Sequence, residues 1–173
     1  MTPPPTNSVA PVLVIVGPPG AGKTTVGALL ATRLGVAFRD NDAEIEAATG
    51  KTVSDIFITD GEPAFRAIEA AAVAATLHDF AGVVSLGGGA VLDPDTRAAL
   101  ADHRVLYLRV GLTEAVRRVG MAQSRPVLTL NPRSAMRELL AARAPLYEQI
   151  ATITVETDGR SPDDVAAAAA HNL

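Results

Sequence analysis

The stretch GPPGAGKTT, from Gly17 to Thr25, is the part of the chain whose residue types and spacing point most directly to chemistry. Gly17, Gly22, Lys23 and Thr24 complete the pattern G-x-x-x-x-G-K-[ST], set between an apolar run and a helical one. In such a loop, backbone N–H groups at Gly20, Ala21 and Gly22 turn inward toward an anion. The amino end of the next helix, with Thr24 and Thr25, adds its dipole. Lys23 reaches the outer phosphates and Thr24 offers a hydroxyl to Mg²⁺. The motif implies a nucleoside triphosphate with Mg²⁺, and leaves the phosphoryl acceptor open.

Asp40 and Asp42, in RDND, lie two residues apart, so one could serve the metal and the other the acceptor. A helix cap at Asp42 is the competing reading. The triplet Gly87, Gly88 and Gly89 offers no side chain, which lets a small ligand meet backbone N–H groups; a simple loop is the alternative. Arg66 could pair with Glu69 as a surface contact worth little, and Arg143 could be a solvated helix residue. Arg125, beside Pro126, suits charge developing on a transferred phosphoryl group. His78, His103 and His171 lack ligand spacing.

These residues need positioning elements. Val12 to Val16 is short, β-branched and apolar throughout, the pattern of a strand buried on both faces. A helix is expected over Gly22 to Leu34, a strand over Val36 to Arg39, and short helices near 42–48 and 53–58. Asp60 is expected to cap a helix running to about His78, with Phe65, Ile68, Ala72, Val73 and Leu77 on its apolar face. GVVSLGGGAV and Val105 to Val110 read as the third and fourth strands. Thr113 is the expected cap of a helix carrying Arg117 and Arg118, and residues 120–133 form a lid-like loop. Ser134 to Tyr147 reads as a helix with a kink at Pro145, ATITV as the fifth strand, and Pro162 to Ala170 as the last helix. Alternating strands and helices predict an α/β fold: a five-stranded parallel sheet between two helical layers, with ligands beyond the carboxyl ends of the strands.

Composition narrows the classes. At 173 residues one domain is expected, over 12–173, after a disordered extension, 1–11, that contains Pro3, Pro4 and Pro5. No apolar run is long enough to span a bilayer, so no membrane association is expected. A net charge of -4 without a Lys/Arg block argues against nucleic acid. Cysteine is absent, which removes disulfides and agrees with a cytoplasmic protein.

GPPGAGKTT, DNDAEIEAATGKTVSDIFITDGEPAFR, SLGGGAV, RPVL, ARAPLYEQIA and TDGRSP occur in this order, and the chain resembles the shikimate kinase family from about Val12 to Ala168. The resemblance implies a P-loop kinase fold with a lid and a substrate-binding helical segment. It also implies ATP-dependent phosphorylation of the shikimate 3-hydroxyl, on the route to chorismate. Asp42 would bind the reacting diol, Arg66 and Arg143 would clamp the carboxylate, and Gly87, Gly88 and Gly89 would contact ring hydroxyls. Phe57 and Phe65 would wall the pocket. Thr24 and Asp40 would serve one Mg²⁺, Lys23 and Arg125 the phosphoryl group in flight, and Arg118, Arg160 and Pro162 the adenine. The chain departs from the family at DND in place of D-T-D, at Pro63 and Ala64, and along the lid. A monomer acting on ATP and shikimate is expected; rival readings are a gluconate kinase, a nucleoside-monophosphate kinase and an ATP-binding regulatory module.

Overall fold

Leu13, Val14, Ile15 and Val16 are at most 1% exposed, as the continuous apolar run requires of a strand covered on both faces. They form β1 (Leu13–Val16) at the centre of a five-stranded sheet in the computed structural model, which describes residues 9–121 and 131–173. The other strands are β2 (Ala37–Asp40), β3 (Gly82–Ser85), β4 (Val105–Arg109) and β5 (Ile153–Glu156). Their order is β2-β3-β1-β4-β5 and every pairing is parallel, with Leu13 opposite Val83 and Val14 opposite Val105.

Parallel neighbours require crossovers, and helices supply them. They are α1 (Lys23–Leu34), α2 (Asn41–Thr49), α3 (Val53–Thr59), α4 (Glu62–Asp79), α5 (Pro94–Leu100), α6 (Leu112–Met121), α7 (Pro132–Ile150) and α8 (Pro162–His171). The alternation of side chains along β1 divides the core in two. Leu13 and Ile15 pack with Leu30 of α1, Met136 of α7 and Val165 of α8; Val14 and Val16 pack with Val73 of α4, Leu100 of α5 and Tyr147 of α7. A third, smaller core of Ile45, Ile56 and Phe65 joins α2, α3 and α4 into the helical segment at one side. Each fully buried aliphatic side chain contributes about 1.5–3 kcal/mol.

Several boundaries differ from the sequence expectation for local reasons. Asp60 does not cap α4: it ends α3 and accepts from Lys51 Nζ at 3.0 Å, while Gly61 is the N-cap. Thr113 lies inside α6, which starts at Leu112, and its hydroxyl accepts from Arg133. The third strand stops at Ser85, and a 3-10 turn (Ala90–Leu92) and α5, capped by Asp93, follow. The fifth strand begins two residues later than ATITV and ends one later, at Ile153–Glu156, and α7 runs beyond the expected 134–147 at both ends. The expected lid falls mostly outside the described residues. Among the described residues no helix is long and apolar enough to cross a membrane.

Gly82 gives a test of this architecture. It pairs with Ala37 across β2 and β3, and an added Cβ would collide with the Ala37 carbonyl and stand 2.8 Å from the Phe80 ring. Gly82→Ala should cost about 1–3 kcal/mol of stability. Urea denaturation checks this, and an unchanged midpoint would contradict the register.

Candidate active site

The loop leaving β1 holds Gly20 and Gly22 at φ 81° and 89°, a backbone region that L side chains rarely adopt. Gly22 is the N-cap of α1 and brings no capping side chain, so the first-turn N–H groups stay available to an anion. Lys23 Nζ donates to the Pro18 carbonyl at 3.0 Å, folded over its own loop.

At the end of β2, Asp40 Oδ2 accepts from Thr24 Oγ1 at 2.6 Å and Asp40 Oδ1 accepts from Ala43 N–H at 3.1 Å. The cap of α2 is therefore Asp40 and not Asp42. A carboxylate and a hydroxyl meeting beside the phosphate loop fit a hard cation such as Mg²⁺, which takes oxygen ligands. Asp42, freed from capping, turns to the loop after β3.

That loop is defined by what its glycines lack. A Cβ on Gly87 would stand 2.7 Å from Asp42 Oδ1 and 2.8 Å from Glu69 Oε1, and one on Gly89 would collide with the Arg66 guanidinium. On Gly88 it would lie 3.2 Å from Pro19 Cδ and 3.3 Å from the Gly17 carbonyl oxygen, in the phosphate loop. The backbone of Gly87 to Gly89 thus lies between the two carboxylates and arginine on one side and the phosphate loop on the other, within the reach of one side-chain carbon.

Arg66 is more than a surface residue. It donates to Glu69 Oε2 at 2.6 Å and to Glu62 Oε1 at 3.3 Å, and its guanidinium carbon lies 5.6 Å and 5.3 Å from the ring centroids of Phe57 and Phe65. Glu69 is only 3% exposed, because α4 packs against α2 and lays this face under the loop. The expected weak surface contact is therefore an ion pair with a buried carboxylate and a partly exposed guanidinium. Burial pushes the Glu69 carboxyl above its ordinary value, with Asp42 adding to the rise, while Arg66 and then Arg143 oppose it. Arg143, one turn before the fully buried Tyr147 on α7, thus faces the same cluster, and the Tyr147 hydroxyl donates to the Gly88 carbonyl at 2.5 Å. Phe65 belongs to the small third core.

A second group lies at the far side of the phosphate loop. Arg118 donates to Glu114 at 2.8 Å and to the Gly20 carbonyl, Thr157 Oγ1 and the Thr157 carbonyl, each at 3.1 Å. Glu114 also accepts from Arg117, and hydrogen bonds from Arg117 and Arg118 hold its carboxyl down to about 2. Arg160, which donates to the Glu156 carbonyl, stands in the loop that Arg118 grips, and Pro162 opens α8 directly after it. Arg125 lies outside the described residues.

Sequence reasoning missed Glu69 as a site residue, and missed Glu114, Thr157 and Tyr147. Tyr147 had a visible signal: it follows Arg143 by four residues in a helical stretch, which places the two on one face. Asn41, the middle of DND, is fully buried, and its amide has no hydrogen-bond partner among the described residues.

Glu69 carries a pH signature. Its folded-state value is raised, so between the ordinary carboxyl value of 4.5 and the raised one the folded chain binds more protons than the unfolded. Its contribution to stability is present below that window and falls as pH rises through it. Denaturation free energy measured against pH should show this decline in the natural chain and lose it in Glu69→Gln; equal slopes would contradict the assignment.

The comparisons with known proteins agree with this geometry. The family described as shikimate kinase matches residues 19–173. The shikimate kinase of Frankia casuarinae is 58% identical over 88% of this chain and 68% of its own length, and that of Salinispora arenicola is 57% identical over 91% and 95%. Shikimate kinase from Acinetobacter baumannii, solved in complex with shikimate, superposes with a TM-score of 0.87 at 36% identity, covering 95% of this chain and 92% of that one. A phosphate loop, an Asp42 freed from capping and an arginine-backed glycine triplet on one sheet edge, with matches across nearly the whole chain, place this protein in the shikimate kinase family.

Proposed function

We propose that the chain transfers the terminal phosphoryl group of ATP to the 3-hydroxyl of shikimate, giving shikimate 3-phosphate. The observation that carries this reading is the contact at Gly88, where the acceptor side of the site lies directly on the phosphate loop. Phosphoryl transfer asks mainly for alignment and charge neutralisation. Asp42 accepts a hydrogen bond from the reacting hydroxyl and orients it. Arg66 and Arg143 hold the acceptor carboxylate, and the N–H groups of Gly87 to Gly89 meet ring hydroxyls. Phe57 and Phe65 line the ring. Lys23 and Arg125 neutralise the phosphoryl group, and Arg118, Arg160 and Pro162 border the adenine.

Thr24 and Asp40 would hold Mg²⁺, which when bound neutralises phosphate charge. Their hydroxyl and carboxylate are already in contact, so no rearrangement of β2 is needed. The protein works as a cytoplasmic monomer in this reading.

ADP release from Mg-ATP, measured with shikimate, gluconate, nucleoside monophosphates or no acceptor, tests the assignment. Release should depend on shikimate alone. Asp42→Asn should lower kcat by about 10²–10⁴-fold with ATP affinity kept. Release with another acceptor, or full turnover in Asp42→Asn, would overturn the reading; ATP binding without any release would favour a regulatory module.

A further inference from the structure

We propose that Tyr147 is a positioning residue for the acceptor: its buried hydroxyl, by holding the Gly88 carbonyl, fixes the Gly87 to Gly89 backbone whose N–H groups receive the acceptor. The proposal rests on the function proposed above and adds a residue that makes no contact with the reacting atoms.

Tyr147 is 0% exposed and its ring lies 5.1 Å from that of Tyr107 in the core shared by α4, α5 and α7. Packing alone would be served as well by phenylalanine. A phenol placed there brings a polar group into an apolar core, which costs stability unless it is bonded. The hydroxyl donates at 2.5 Å to a carbonyl 59 positions away in sequence, in the glycine loop. Burial pushes the phenol above its ordinary value, so it stays a donor throughout the physiological range.

The bonded residue is the one beside the phosphate loop, where an added Cβ would stand 3.2 Å from Pro19 Cδ and 3.3 Å from the Gly17 carbonyl oxygen. Pinning Gly88 therefore sets where the acceptor loop stands relative to the phosphate loop. Arg143 lies one helical turn earlier on the same helix and faces the same phenol. One helix, α7, thus carries both an arginine for the acceptor carboxylate and the anchor for the backbone that meets its hydroxyls.

Tyr147→Phe keeps the ring and leaves the carbonyl without its donor. The expected result is a fall in kcat/KM for shikimate of about tenfold, mostly through KM, with KM for ATP changed less than about twofold. Tyr107→Phe removes the other phenol of the stacked pair and should leave KM for shikimate unchanged. An unchanged kcat/KM in Tyr147→Phe, or equal loss for ATP and shikimate, would overturn the proposal. Absence of shikimate turnover in the natural chain would overturn the functional reading and this proposal with it. The chain has two tyrosines, so Tyr107→Phe leaves Tyr147 alone. With 3-fluorotyrosine incorporated, its single fluorine resonance should move when shikimate is added, and a stationary resonance would overturn the proposal even if Tyr147→Phe does not fold.

Discussion

The close approach of two loops at Gly88 is the constraint on which the rest of the site depends. β1 and β3 are direct neighbours in the sheet, so the loops leaving their carboxyl ends emerge side by side. With 3.2–3.3 Å between a would-be Cβ and the phosphate loop, Gly88 could take a side chain only if that loop gave way by a few tenths of an ångström. The groups proposed to meet the acceptor come from three helices around the glycine triplet: Asp42 from α2, Arg66 from α4 and Arg143 from α7. Proximity of donor and acceptor follows from strand order, before any ligand enters.

Charge is arranged around the same point. Glu69 is buried while its partner Arg66 keeps part of its surface in solvent, and a buried carboxylate repays its desolvation only when well bonded. Its value here is geometric. Glu69 holds one guanidinium nitrogen while Phe57 and Phe65 lie beside the guanidinium, so Arg66 is held toward the glycine triplet. On the other side, Arg118 ties the Gly20 carbonyl to Thr157 and so couples the phosphate loop to the loop before α8. The phosphate loop is braced at both flanks.

Much of this was legible in the sequence. The β-branched run before Gly17, the complete phosphate motif and the strand-helix alternation dictate a parallel sheet with its ligands at one edge. Caps were harder. Asp40 and Asp42 are both able to cap α2, and only the position of Thr24 across the site selects Asp40 for that task. Asp60 does not take its expected role because α3 extends to it as C-cap and Gly61 occupies the cap position of α4. Glu69 looked exposed because an i,i+3 pair on a helix says nothing about what covers that face; the cover is the loop after β3, distant in sequence. The start of β5 moved by two residues and its end by one, in an edge strand with only one neighbour to fix its register.

The central claim is that the acceptor pocket is shaped by the absence of side chains at the glycine triplet. Gly89 tests it most directly, since its φ of -96° suits any residue while a Cβ would collide with Arg66. Calorimetric titration of Gly89→Ala should show shikimate affinity reduced by at least about tenfold with Mg-ATP affinity unchanged. Shikimate affinity equal to that of the natural chain would contradict the account.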